Sequence, residues 1–518
     1  MKKMFSLVLV LSMAFAVFGG ISTASAAART LSWVVSITYQ NVGTSATTVE
    51  VDFYEEESGT LITTFEPLGT GNTLAAGAGA SFYIGAVSAV SEGFRGNAVM
   101  KSQQPLVATV VQFTQETKSD GSKYPVRMMS NAFQSADGSK QYLIATTLKE
   151  KFNRTSIFSI QNTGGAAVDA TVRFYDAENN GSLKSTKVFT IPGNSSKYIE
   201  MDSVDDTGIS DSVFNGSAIV SVPDGSTVVA AASELSTNTD IGANFEGLPL
   251  SKAGNKIYMA TALCAKFGMD TFYAVENASV TPGENATISV TYKNLNGTTK
   301  AVDGPYTIGP GQKKSIITCT PSDGTNMSDF TGAATISTGT GDAPIVVIGK
   351  GQCSSSACTS DKEFVYTAFL GEKEGASSLA MPYVRWSENC AYNGPIPGCD
   401  PTTPINDGGK QRAYIAIQNL ESTSSKIVVE YWDKDGTVVG SETLTIEPGS
   451  KQNSTAESAG ALGKSGMNPG EFGYYVLGQF GGSVLAYAHS DNPTAKFIAI
   501  VRSQVPVYAE DYNAVPVP

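Results

Sequence analysis

With 518 residues and a formal net charge of −13, the chain is too acidic to suit nucleic acid or an anionic membrane surface as a partner. Only 16% of residues are charged and 52 are glycine, a balance that favours strands and turns over helices. A single histidine excludes most Ser-His-Asp and Cys-His catalytic arrangements.

In chain order, the first element is a leader. Met1-Lys2-Lys3, an apolar run from Met4 to Phe18 and Ala24-Ser25-Ala26 predict a secretory signal peptide over residues 1–26, cleaved after Ala26. The run is short for a membrane span, and no later stretch is long and apolar enough to cross a bilayer once the leader is removed. The expected location is secreted or extracellular, with retention at the cell surface left open.

The remaining 492 residues repeat one pattern four times, about 123 residues per copy. An alternating apolar run ends in Asn, a second run carries aromatics and an acid, a turn contains Gly, and Phe-x-Gly opens a further strand. These features are Asn41, Phe53-Tyr54-Glu55, Ala76-Gly77 and Phe94-Arg95-Gly96 in the first copy, and Asn162, Phe174-Tyr175-Asp176, Pro192-Gly193 and Phe214-Asn215-Gly216 in the second. The third has Asn277, Val290-Thr291-Tyr292, Pro310-Gly311 and Phe330-Thr331-Gly332. The fourth has Asn419, Tyr431-Trp432-Asp433, Pro448-Gly449 and, without the spacer, Phe472-Gly473.

The period-two alternation in Thr155 to Gln161 and Arg412 to Gln418 predicts strands with one buried face. Asn closes such a strand by bonding nearby backbone. Short, nearly continuous apolar strands follow at Pro105 to Val110, Ser226 to Ala231 and Ala343 to Ile348. About seven strands per copy, with turns every 8 to 12 residues, describe an immunoglobulin-like sandwich. The expected fold is all-β, a tandem array of four such domains over residues 27–129, 130–241, 242–365 and 366–518, the last with a Cys-containing insertion at about 384–410 and a C-terminal tail.

A linking phrase recurs as Ser130 to Phe133, Gly242 to Phe245 and Tyr366 to Phe369, each leading into the strand that opens the next copy. The first copy lacks an opener, and the chain ends on the phrase as Tyr512-Asn513-Ala514-Val515. An unpaired sheet edge invites β-augmentation, so this tail is a candidate assembly segment docking beside the first copy of the next molecule. Pro516 and Pro518 weigh against it.

All six cysteines lie in the last two copies. Export favours disulfides, and the loops suggest Cys353 with Cys358 and Cys390 with Cys399, leaving Cys264 for Cys319, although six cysteines allow 15 pairings. There is no C-x-x-C pair, and His489 is distant and sits in a polar loop, so no metal is expected. No Walker loop, dinucleotide fingerprint or H-E-x-x-H is present. No catalytic residue or cofactor is expected, and the chain is read as not an enzyme. Exposed aromatics could form a glycan platform, with Trp432 and Trp386 the candidates.

The order Asn, aromatic-acid, Pro-Gly, Phe-x-Gly resembles the Ig-like or fibronectin-like repeats of bacterial secreted and cell-surface proteins. The resemblance implies β-sandwiches and a structural or adhesive extracellular role, and it carries no catalytic residue. The expected function is a rod of Ig-like domains that binds other copies of itself or other surface proteins and assembles into a filament or surface layer. The alternative is a carbohydrate-binding array recognising extracellular glycans.

Overall fold

The computed structural model describes residues 7–11, 33–114, 126–179, 181–236, 241–353, 365–387, 411–462, 480–504 and 509–517, with the backbone alone at 7–11 and Ser387. It is all-β and antiparallel, consistent with β-sandwiches. The repeat is visible in the topology. In the second copy one layer orders Ser182–Ile191, Val168–Asp176, Phe214–Ser221, Gln141–Lys149 and Leu248–Pro249. The other orders Ser196–Glu200, Arg154–Asn162, Val228–Ser236 and Gly242–Glu246. The first and third copies repeat this arrangement in pairs of four-stranded sheets. In the fourth, Ser378–Ser387 meets Gln411–Asn419 at Trp386 and Arg412, which joins the two layers into one sheet.

The repeated Asn is a clamp rather than a local stop. Asn162 Oδ1 accepts from Gly164 N at 2.9 Å, while its Nδ2 donates to Ala166 O, Ile191 O and Pro192 O at 2.8, 3.0 and 3.1 Å. Asn41 and Asn419 do the same, and all three are buried. One amide therefore fixes both the turn after its strand and the distant Gly-bearing turn, which a Gln or Asp cannot do with the same reach and donor count.

Two positions in the repeat differ from the sequence reading. In the fourth copy Phe480-Gly481-Gly482 takes the Phe-x-Gly place: Phe480 packs edge-on against Tyr431 at 5.3 Å, as Phe94 does on Phe53 and Phe330 on Tyr292. Phe472-Gly473 lies outside the described residues. In the third copy Tyr292, not Val290, is the counterpart of Phe53, since Tyr292 pairs with Ala334 as Phe53 pairs with Ala98. The spacer is needed because the glycine lies over the neighbouring backbone. A Cβ at Gly216 would fall 2.1 Å from Tyr175 O, and one at Gly332 would fall 2.0 Å from Lys293 O.

The copies do not form a rod. They close into a ring in which the fourth meets the first. The cause lies in the continuous apolar strands, which are buried on both faces. In Ile345–Cys353, Ile345 and Val347 belong to the third copy's own core, whereas Val346 and Ile348 join the second copy's cluster. In Phe497–Gln504, Ala499 and Val501 face inward, while Ile498 and Ile500 join the third copy's cluster. In Leu106–Thr114, Ala108 and Val110 face inward and Val111 joins the fourth copy's cluster. Each strand thus seals its own sandwich and a seam.

Candidate functional site

Two features stand out: the seams that close the ring, and the opener edge of the first copy.

The seams use one device repeatedly. The residue after the buried aromatic of one copy lies on the turn glycine of the next. Tyr175 covers Gly311, Lys293 approaches Gly449, and Trp432 covers Gly77, the last contact closing the circle from fourth copy to first. All three glycines have positive φ, at +67°, +67° and +76°, so the turn needs glycine for its backbone as well as for the space. Side-chain bonds reinforce each seam. Arg95 joins Glu200 at 2.8 Å and lies over Tyr198 between the first and second copies. Ser217 Oγ donates to Gly311 O at 2.6 Å between the second and third. Ser450 Oγ donates to Asn294 O at 2.8 Å between the third and fourth.

At the centre, the last strands of the four copies, Arg127–Asn131, Gly242–Glu246, Tyr366–Leu370 and Ala509–Asn513, border one another in a circle. Asn131 Nδ2 donates to Asn513 O at 2.6 Å, Leu370 N donates to Asn513 Oδ1 at 2.8 Å, and Asn131 N donates to Glu246. Register places Asn131, Glu246, Leu370 and Asn513 at one position of the repeat, because they pair with Thr109, Ala231, Ile348 and Ile500 respectively. The linking phrase therefore aligns three residues out of register in the second and third copies.

Two carboxylates buried here, Glu234 and Asp511, are paired with cations. Glu234 receives Lys350 Nζ at 2.7 Å and Tyr366 Oη at 2.5 Å, and these with Arg154 overcome the upward push of burial and hold its carboxyl below the ordinary range. Arg502 clasps Asp511 through two bonds of 2.8 and 2.6 Å. Among the described residues Glu246 has no cation, and burial drives its carboxyl up to about 7.

The opener edge of the first copy is filled by a strand from within the expected leader. Leu7–Leu11 pairs antiparallel with Gly96–Ser102, from Leu7 opposite Ser102 to Leu11 opposite Ala98. This is the place held by Gln141–Lys149, Lys256–Cys264 and Ser378–Ser387 in the other copies. Leu11 holds the position of Ile144, which faces Ala218.

The expected site residues fall as follows. Tyr512, Asn513, Ala514 and Val515 are buried within their own molecule: Ala509–Asn513 pairs with Phe497–Gln504, and Val515 with Ala380. The tail closes its own ring and is not a free assembly segment. Trp386 is 2% exposed, edge-on to Tyr414 and under Arg412, and Trp432 is occupied by Gly77. Neither presents a platform to a glycan, because Trp386 lies within the fourth copy's core cluster and Trp432 packs against the first copy across a seam. Cys264 and Cys319 form a disulfide, and Cys353 is also disulfide-bonded. Cys358, Cys390 and Cys399 lie outside the described residues, as does most of the 384–410 insertion. One group among the described residues, Cys264, Asp270 and Cys319, is compact enough for a metal, but its two sulfurs are joined to each other. Sequence reasoning missed the seam contacts; the signal was a glycine retained in four equivalent turns.

No protein-family model matches the chain, and no curated protein matches it. Among solved structures it is similar to the crystal structure of Thermotoga maritima 1070, over 22% of this chain and 96% of that one, at 16% identity and a TM-score of 0.18. It is also similar to the viral chemokine binding protein R17 of rodent gammaherpesvirus Peru, over 91% of this chain and 97% of that one, at 10% identity and a TM-score of 0.12. Superpositions this loose carry no argument about function. Among the described residues no helix is long and apolar enough to cross a membrane.

Proposed function

We propose that this chain is an exported structural or adhesive protein of the cell surface or extracellular space. It is built from four immunoglobulin-like domains in a ring, and its first domain is completed during assembly by an apolar strand from another polypeptide. The observation that carries this reading is the opener place of the first copy, held by Leu7–Leu11 from within the expected leader. Trp33 is the counterpart of Arg154, each opening the strand that ends in the clamp Asn. A chain cut after Ala26 keeps six residues before Trp33, and six before Arg154 is Leu148. Those six residues therefore reach back no further than the counterpart of Leu148, which leaves the places of residues 141–147 without an occupant. A sandwich short of a strand offers main-chain donors and acceptors along Gly96–Ser102, which is the situation that donor strands exploit.

The test uses the chain from Ala27 to Pro518. A peptide of residues 5–13 carrying terminal lysines is titrated while unfolding and mass are followed. One peptide is expected to bind per chain and to raise stability by about 2.7 kcal/mol at a hundredfold excess over Kd. Without peptide, light scattering and negative-stain microscopy are expected to show self-association through the open edge. A monodisperse monomer that ignores the peptide overturns the donor-strand reading, and a secreted product that retains residues 1–26 overturns the leader reading separately.

A further inference from the structure

Between the third and fourth copies lies a cavity of about 300 Å³. Leu263, Met269 and Ile500 form its apolar side, and Lys451, Arg502 and Asn453 its polar side. Asn453 is exposed, so the space opens to solvent. At about 30 Å³ per water-sized group it holds on the order of ten non-hydrogen atoms.

Lys451 is the unusual member. It is 3% exposed, yet among the described residues no carboxylate lies within ion-pair distance of its ammonium, and its one hydrogen bond, to Thr261 Oγ1, is long at 3.4 Å. The nearby Asp511 is consumed by Arg502. Comparison with the preceding seam shows what is missing. Lys313 occupies the same place in the repeat, opposite Glu276, and donates to Asn215 Oδ1 at 2.5 Å. Lys451 stands opposite Gln418, whose amide donates to Gly449 O at 3.2 Å and Ala334 O at 3.3 Å. Among the described residues no ion pair joins Lys313 to Glu276, so what the fourth copy lacks is the short polar partner: Lys313 has Asn215, whereas Lys451 has only the long bond to Thr261 and open space before it.

We infer that this cavity binds a small amphiphilic monocarboxylate, its anionic head on the Lys451 ammonium and its apolar tail against Leu263, Met269 and Ile500. A buried cation without a counter-ion is costly, and a ligand carboxylate removes that cost while its tail leaves water. The charged groups near Lys451 are Arg502 and Asp511, which neutralise each other; Thr261, Gln418 and Asn453 carry no charge. Burial, with Arg502 adding to it, pushes the Lys451 amine down to about 7. The ligand needs the charged form, so binding above pH 7 must also take up a proton. Apparent affinity then falls roughly thirtyfold between pH 6 and pH 8.5.

Octanoate, with ten non-hydrogen atoms, is the probe, titrated by calorimetry into the intact protein with octanol as the uncharged control. Saturable binding of one octanoate per chain is expected, at least tenfold tighter than octanol and at least tenfold weakened by Lys451→Met. Leu263→Phe, which fills the apolar side, is expected to weaken octanoate and octanol alike. No saturable binding, equal affinity for octanol, or an unchanged Lys451→Met overturns the inference. Should Lys451→Met fail to fold, the pH comparison on the unaltered protein decides: affinity that does not fall between pH 6 and pH 8.5 overturns it.

Discussion

Gly77→Ala should weaken the protein chiefly by opening the seam between the fourth and first copies. Gly77 has φ +76°, a conformation that costs an alanine about 1–2 kcal/mol. The new Cβ would stand 2.5 Å from Trp432 Cζ3 and 2.7 Å from Cε3, roughly 1 Å inside ordinary carbon contact. Relieving that overlap by moving an indole wedged in a seam costs about 1–3 kcal/mol more, for a total near 3 kcal/mol. Gly71→Ala is the matched control, with φ +78° and nothing within 4 Å of the added Cβ, so it carries the backbone cost alone. Urea unfolding followed by circular dichroism should place Gly77→Ala about 1–3 kcal/mol below Gly71→Ala. In a Trp432→Ala background that gap should vanish, because the ring that collides is gone. Small-angle scattering should show the Gly77→Ala ring expanded. Equal losses at Gly71 and Gly77, or a gap that survives Trp432→Ala, would refute the seam argument.

Two further outcomes follow from the buried charges. Lys350→Met leaves Glu234, 0% exposed, without its cation, and should cost about 3–5 kcal/mol in urea unfolding; adding Glu234→Gln should recover most of it, whereas a loss that persists would show that the pair is not what holds the seam. Glu246 is raised to about 7 in the fold against about 4.5 unfolded, so between those pH values the folded state holds the extra proton and stability falls as pH rises. Its contribution is complete below about pH 4.5 and is reduced by about 3 kcal/mol once pH exceeds 7. Glu246→Gln should therefore be the more stable protein at pH 8 and lose its advantage at pH 4.5, and parallel pH profiles for the two would contradict this.

The all-β architecture was legible because its signal is local. Alternation in Arg154–Asn162 and Gln411–Asn419 states which face meets the strand's own core, through Phe158 and Ile160 or Ile415 and Ile417, and the turn glycines state where strands reverse. The single buried face it predicts is corrected by the structure, which buries the polar face as well. The clamp Asn was legible only in half, since its bond to residue i+2 is a local habit while its reach to Ile191 O or Ile446 O depends on a strand 29 or 27 residues away respectively. Phe480 escaped notice because spacing after the Gly-bearing turn differs in the fourth copy, and Phe472-Gly473 imitates the motif without its spacer. Core packing against Tyr431, which sequence order does not reveal, picks out the true member.

The ring itself was within reach of the sequence, though only by giving weight to what alternation leaves over. A strand with one solvated face should alternate, yet Ile345 to Ile348 does not, and Phe497 to Ala499 is apolar throughout. Such runs report a second buried face without naming its occupant, and for a tandem array the nearest occupant is the neighbouring copy. The two internal seams of this kind, second to third and third to fourth, are equally compatible with a rod. What decides for closure is Val111 of the first copy, which is buried among residues of the fourth. The same reasoning isolates the opener edge. In the first copy Val111 is covered by residues of the fourth, whereas Gly96–Ser102 is covered by Leu7–Leu11, from within the expected leader. That edge, with the lysine cavity at the third seam, is where the fourfold pattern stops accounting for its own surface.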